Sequence, residues 1–181
     1  MWVRSGRAIQ LVAVATLLFV AGVAGAQATR PVQTGEVVRG AARVTDSDKL
    51  VVDGVYLRLW GADGPELAQP CFFANNQPYD CQSIALRELQ IITAQGPVTC
   101  TVQRDTERTR RTFLYGICLT SDGRDVAEEL VRAGHALALV DQTDRYLAAE
   151  AVAEAARVGL FRGRFIAPWE FAATVMRGGE P

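Results

Sequence analysis

Short apolar runs broken by turn-forming residues fill the first half of the chain after its N-terminal segment, and apolar residues at helical spacing fill the second half. Val37-Val38, Ala42-Arg43-Val44, Leu50-Val51-Val52 and Val55-Tyr56-Leu57-Arg58-Leu59 are β-prone, and Asp53-Gly54 between the last two is a hairpin dipeptide. They predict a three-stranded meander. The stretch from Gly61 to Asp80 carries Gly, Pro, Asn and Asp and reads as a loop, of a length that compact domains usually reserve for function. Asp80 is placed to cap a helix with the stripe Cys81, Ala85, Leu89 and Ile92, closed by Gln95-Gly96-Pro97. Two more β-prone runs, Pro97 to Arg104 and Phe113 to Leu119, flank a polar stretch over 105–112. Val126, Leu130 and Ala133 mark a short helix ending at Gly134; Tyr146, Ala149, Ala153, Ala156 and Leu160 mark a longer one ending near Gly159.

Three strands, a helix, two strands and two helices are what a mainly β, α+β chain gives when it forms an OB-type five-stranded barrel with three helices, the first helix plugging one end. The domain is expected over residues 36–170, with a short tether at 27–35 and a C-terminal tail at 171–181. Many unrelated activities use such barrels, so the function has to be read from a site.

The N-terminus changes the compartment. Arg4 and Arg7 precede an apolar run from Ile9 to Val23, and Ala24-Gly25-Ala26 supplies the small residues that signal peptidase cleaves. Residues 1–26 therefore read as a signal peptide. A membrane anchor fits less well, because the run is short, includes Gln10 and ends without a basic stop-transfer segment. A periplasmic or secreted protein without stable membrane insertion is expected. Cleavage removes Arg4 and Arg7 and no acid, taking the formal charge from −1 to −3. That balance excludes general electrostatic coating of nucleic acid. Four Cys in an oxidising space are expected to pair; three pairings are possible, and spacing favours Cys71–Cys81 across a loop and Cys100–Cys118 between neighbouring strands. A zinc site would lack any Cys-x-x-Cys, and His135 is the only His.

The candidate chemistry gathers where the third strand opens into the long loop. Arg58-Leu-Trp-Gly-Ala-Asp63-Gly-Pro-Glu66 places an Arg, an Asp and a Glu together, and the end of a meander's third strand returns beside Asp46-Ser47-Asp48. Asp48 and Asp63 with a backbone carbonyl would make a hard oxygen site for Ca²⁺, with water filling the remaining positions. Arg58 offers a fork of donors to a phosphate, and Glu66 a carboxylate to activate water. The spacing alone is equally that of an ordinary Asp-Gly-Pro-Glu turn.

From Gly40 to Trp169 the chain resembles the staphylococcal nuclease-like, or thermonuclease, family. Arg58-Leu-Trp-Gly-Ala-Asp63-Gly-Pro-Glu66 is close to the family's R-L-x-G-I-D-x-P-E, and Asp46-Ser-Asp48-Lys stands at D-G-D-T. Leu130-Val-Arg-Ala-Gly134-His-Ala is similar to L-V-x-x-G-x-A, and Tyr146 to Glu150, Gly159-Leu-Phe and Pro168-Trp-Glu are similar to Y-x-x-x-E, G-L-W and P-W-E. The resemblance implies a Ca²⁺-dependent endonuclease of low sequence selectivity, acting as a monomer on nucleic acid or nucleotides. It implies Asp48, Asp63 and the Gly64 carbonyl as metal ligands, Glu66 as general base and Arg58 as phosphate clamp. The family's second catalytic Arg, in D-x-Y-G-R, has no counterpart: Phe113 falls at its position. Arg108, Arg110 and Arg111 lie just upstream, and Arg111, nearest in sequence, is the expected replacement. Lys49, the only Lys in the chain, replaces the Thr of D-G-D-T and as a strand residue is expected to face solvent. The missing Y-G-R leaves a second expectation open, a catalytically weak or inactive binding module of the same family in the cell envelope.

Overall fold

The computed structural model describes residues 32–105 and 114–178. The signal peptide expected at 1–26, most of the tether, and Arg108, Arg110, Arg111 and Phe113 lie outside the described residues.

The apolar runs of the first half become β1 (Val37–Gly40), β2 (Ala42–Asp46), β3 (Lys49–Val52) and β4 (Val55–Leu59). β2, β3 and β4 form the expected antiparallel meander, with Asp53-Gly54 turning the second hairpin. Val37-Val38 departs from it: β1 pairs with β8 (Val98–Asp105) at the other end of the sheet. β8 pairs with β9 (Leu114–Leu119), and β9 runs parallel to β4, so six strands follow the order β1-β8-β9-β4-β3-β2. Ala41 alone joins β1 to β2, the two edge strands of this sheet.

The long loop is more ordered than expected. It contains β5 (Ala62–Asp63), β6 (Cys71–Phe73) and β7 (Pro78–Tyr79), which pair with each other or with β10 (Leu137–Ala138) and β11 (Gly163–Phe165). Segments of two or three residues carry no periodicity, and their partners lie 60 or more positions away in some cases, as with Asp63 and Leu137.

The helix α1 (Cys81–Thr93) buries the predicted stripe, and Asp80 caps it by accepting a hydrogen bond from the Ser83 N–H at 3.0 Å. α2 (Val126–Arg132) is capped by Asp125, and α3 (Leu147–Ala156) ends where Arg157 adopts a left-handed conformation, three residues earlier than Leu160 in the predicted stripe. Leu160 instead belongs to a 3₁₀ turn over Gly159–Arg162. α2 and α3 are locked end to end where Gly134 and Gly159, both at positive φ, approach so closely that a Cβ on Gly134 would stand 2.5 Å from the Val158 carbonyl oxygen. A fourth helix, α4 (Pro168–Met176), begins with Pro and buries Phe171, so residues 171–176 are helical rather than part of a tail.

Leu50, Val52, Leu57, Leu59, Val98 and Val102 from the strands pack with Leu89, Leu130 and Val131 in one fully buried core. Both expected disulfides are present: Cys71–Cys81 joins β6 to α1, and Cys100–Cys118 links residues directly opposite in the β8–β9 ladder, with Cα atoms 4.0 Å apart. Among the described residues no helix is long and apolar enough to cross a membrane.

Candidate active site

A two-residue turn, Ser47-Asp48, joins β2 to β3, and a bulge between Val44 and Asp46 twists this hairpin tip. The Ser47 hydroxyl is buried and donates to the Pro65 carbonyl oxygen at 2.7 Å, pinning the loop after β5 over the tip. Gly64 is needed for that closeness, since a Cβ there would lie 2.6 Å from Ser47 Oγ. The packing carries Asp63, Gly64 and Glu66 to the same rim as Asp48.

Arg58 on β4 is the centre of the cluster. Its Nη2 donates to Asp48 Oδ2 at 2.9 Å and Asp63 Oδ1 at 3.2 Å, and stands 3.9 Å from Glu66 Oε1. The residues singled out around Arg58 therefore converge from three separate segments. Gln69 holds Glu66 in place: its side-chain oxygen accepts the Glu66 N–H at 3.0 Å, and its amide donates to the Ile166 carbonyl at 2.9 Å. Gln82 of α1 donates to Asp46 Oδ1 at 2.9 Å. Ser47, Gln69 and Gln82 escaped sequence reasoning because neutral polar side chains in a loop or on a helix carry no chemistry of their own.

Lys49 does not face solvent. Its residue is 9% exposed, and its ammonium lies 2.5 Å from Asp46 Oδ2, 3.2 Å from Asp48 Oδ1 and 3.8 Å from Glu66 Oε2. Strand alternation does turn it away from the core, but the loop pinned by Ser47 covers that face. Lys49 and Arg58 are directly opposite in the β3–β4 ladder, an arrangement that is unfavourable for like charges unless something separates them. Asp48, 1% exposed, does so with one oxygen toward each cation. Its Oδ1 is nevertheless buried with no hydrogen bond: Lys49 is near enough for charge pairing but not aligned to donate.

Four carboxylates share two cations, and their protonation reflects it. Burial and the charge of Asp48 push the Asp63 carboxyl up to about 7, against the pull of Arg58. Glu66 is raised as well, by burial first and by Asp48 after it, with Lys49 and Arg58 opposing. Asp46 is lowered, because hydrogen bonds from Lys49, Gln82 and Ser47 together outweigh its burial. Burial works against the charge of Lys49, yet Asp48, Asp46 and Glu66 outweigh it and raise its ammonium above the usual lysine range.

The donor set tests the expected Ca²⁺. Asp48 Oδ2 and Asp63 Oδ1 are turned to the guanidinium of Arg58, while the ammonium of Lys49 stands among Asp46, Asp48 and Glu66. A hard divalent cation takes six or more oxygens, carbonyls and waters included, and with Arg58 and Lys49 against them the Asp48 and Asp63 oxygens are not presented to such an ion.

Beside Arg58, Tyr115 is its neighbour across the β4–β9 pair, and the Tyr115 and Trp60 rings meet edge to face with centroids 5.9 Å apart. No family model matches the chain. The chain is similar to the succinoglycan biosynthesis protein ExoI of Rhizobium meliloti (strain 1021), with 27% identity over 138 residues that cover 75% of this chain and 71% of that protein.

Proposed function

We propose that this chain is an exported phosphodiester hydrolase, acting as a monomer on nucleic acid or nucleotides from an OB-type barrel of the staphylococcal nuclease-like kind. The observation that carries the reading is the convergence of Arg58, Asp63 and Glu66 on one rim, with a half-buried guanidinium beside a carboxylate that keeps 27% of its side chain exposed. Glu66 is reachable by water and burial raises its carboxyl above the usual range, as suits a group that takes a proton from the attacking water. Arg58, with 22% of its side chain exposed, supplies positive charge where the phosphoryl oxygens would gain negative charge. Trp60 and Tyr115 offer an aromatic face to a nucleobase next to that phosphate position. The two disulfides support a periplasmic or secreted setting.

The test is release of acid-soluble nucleotides from denatured DNA and from RNA, by the purified mature chain and by Glu66→Gln. Cleavage by the wild type is expected, with a loss of about 10²-fold or more in the variant. Equal release by both would remove Glu66 from the chemistry. No release by either would favour the binding-module reading, in which the same rim holds a phosphate without breaking it.

A further inference from the structure

Lys49 stands in an unusual place for a lysine. It is the only one in a chain that otherwise uses Arg for every basic side chain, and it is buried at the tip of a hairpin among three carboxylates. An Arg fork matches planar, bidentate partners; a compact ammonium on a flexible stem is closer to a point charge and suits acceptors that surround it. The acceptors here do surround it, one oxygen each from Asp46, Asp48 and Glu66. Asp48 Oδ1, buried and without a hydrogen bond, is aimed into the same space. An oxygen of that kind is costly unless a cation faces it.

We propose that Lys49 is a tethered cation standing where a divalent ion would otherwise bind, so that the site carries its own positive charge and has no requirement for Ca²⁺. Three features of the geometry support this. The ammonium sits between Asp46 and Asp48 of the hairpin tip and Glu66 of the loop after β5, so it bridges the two segments on one side of Asp48 as Arg58, between Asp48 and Asp63, does on the other. Asp48 divides its two oxygens between Lys49 and Arg58, leaving neither cation able to withdraw without exposing a buried carboxylate to the other acids. Ser47 and Gly64 fix the loop at a distance that closes over the ammonium. The inference concerns the charge of the rim, and it holds whether or not the rim cleaves phosphodiesters.

The experiment uses the mature chain, its Lys49→Thr variant and its Lys49→Gln variant, followed by thermal unfolding and by calorimetric titration with CaCl₂ after removal of metals with chelator. The wild type is expected to unfold at the same temperature in chelator and in Ca²⁺, with no saturable heat. Lys49→Thr is expected to unfold at a lower temperature in chelator and to recover with Ca²⁺, by on the order of 5 °C when the ion is about a hundredfold above its Kd. Lys49→Gln keeps a long stem without the charge, and carries the same comparison should the Thr variant fail to fold. Saturable Ca²⁺ binding by the wild type would overturn the proposal. So would an absence of Ca²⁺ response in both variants, since vacating the position would then create no ion site. Nuclease assays on the same samples are read separately: an inactive wild type that ignores Ca²⁺ refutes the hydrolase and leaves the tethered cation standing.

Discussion

Two buried carboxylate networks in this protein use the same side chains to opposite ends. Asp125, with 4% of its side chain exposed, caps α2 by accepting from the Ala127 and Glu128 N–H groups at 3.0 and 3.3 Å. It also takes the hydroxyl of the fully buried Tyr146 at 3.1 Å and the Nε of Arg145 at 3.0 Å. One acid therefore meets four donors, and nothing in the arrangement is left unpaired. At the rim the balance differs: Asp46, Asp48, Asp63 and Glu66 share two cations, Lys49 and Arg58, the neutral donors Gln82 and Ser47 N–H serve Asp46 alone, Asp48 Oδ1 has no hydrogen bond, and the Asp63 carboxyl is pushed up to about 7. Satisfied networks fix a fold; frustrated ones persist where something else must bind. Burial and charge pairing are common to both, so neither alone distinguishes a site from a strut. The balance of donors and acceptors does.

That contrast predicts a clean separation of effects. The largest is expected for Arg58→Ala, which removes the central donor of the rim and should lower nucleotide release by about 10²–10³-fold, the usual cost of losing a transition-state charge stabiliser. Arg124→Ala is the matched control: Arg124 pairs with Asp122 and Glu129 on a turn away from the rim and should leave release unchanged. Comparable activity in the two variants would erase the functional half of the contrast. Next in size, Asp125→Ala should lower stability by about 2–4 kcal/mol, because a helix cap is lost and the Tyr146 hydroxyl is left buried without a partner. Denaturant unfolding would read that loss, while activity per folded molecule stays at the wild-type level. A drop in activity with stability intact would mean that the Asp125 network is no strut.

The sequence carried the rim better than it carried the frame around it. Arg58, Asp63 and Glu66 lie within nine positions, and a meander necessarily brings Asp48 back to them, so their meeting was legible from local order alone. α1 was legible for the same reason: stripe, cap and terminator are all within its own residues. The short strands β5, β6, β10 and β11 were not, because each takes a distant partner, and β7, which pairs with nearby β6, has only two residues and so no periodicity of its own. α4 went unread because its nine residues bury only Pro168 and Phe171 and leave Trp169 41% exposed, too thin a stripe to mark a helix. The orientation of Lys49 shows the limit most clearly. Alternation along β3 correctly assigns it to the face opposite Leu50, but whether that face meets water depends on a hydrogen bond between Ser47 and Pro65, eighteen positions apart.

The smallest expected effect bears most directly on why the two networks differ. A carboxyl raised in the fold holds its proton to higher pH than it does in the unfolded chain, so between about pH 4 and pH 7 the folded state binds more protons and stability falls as pH rises. The penalty is complete above pH 7 and absent below about 4. Asp63→Asn keeps an oxygen to accept from Arg58 and removes the charge. In chelator it should therefore match the wild type near pH 4 and unfold about 2–4 °C higher at pH 8, a gain on the order of 1 kcal/mol. The equivalent change at Asp125, Asp125→Asn, removes a charge that four donors serve and should lower the unfolding temperature at pH 8. Opposite signs from the same substitution would establish that acceptor excess, not burial, sets the rim apart. If Asp63→Asn is instead the less stable protein at pH 8, the pull of Arg58 outweighs the repulsion, and the rim is as well satisfied as the network beneath α2.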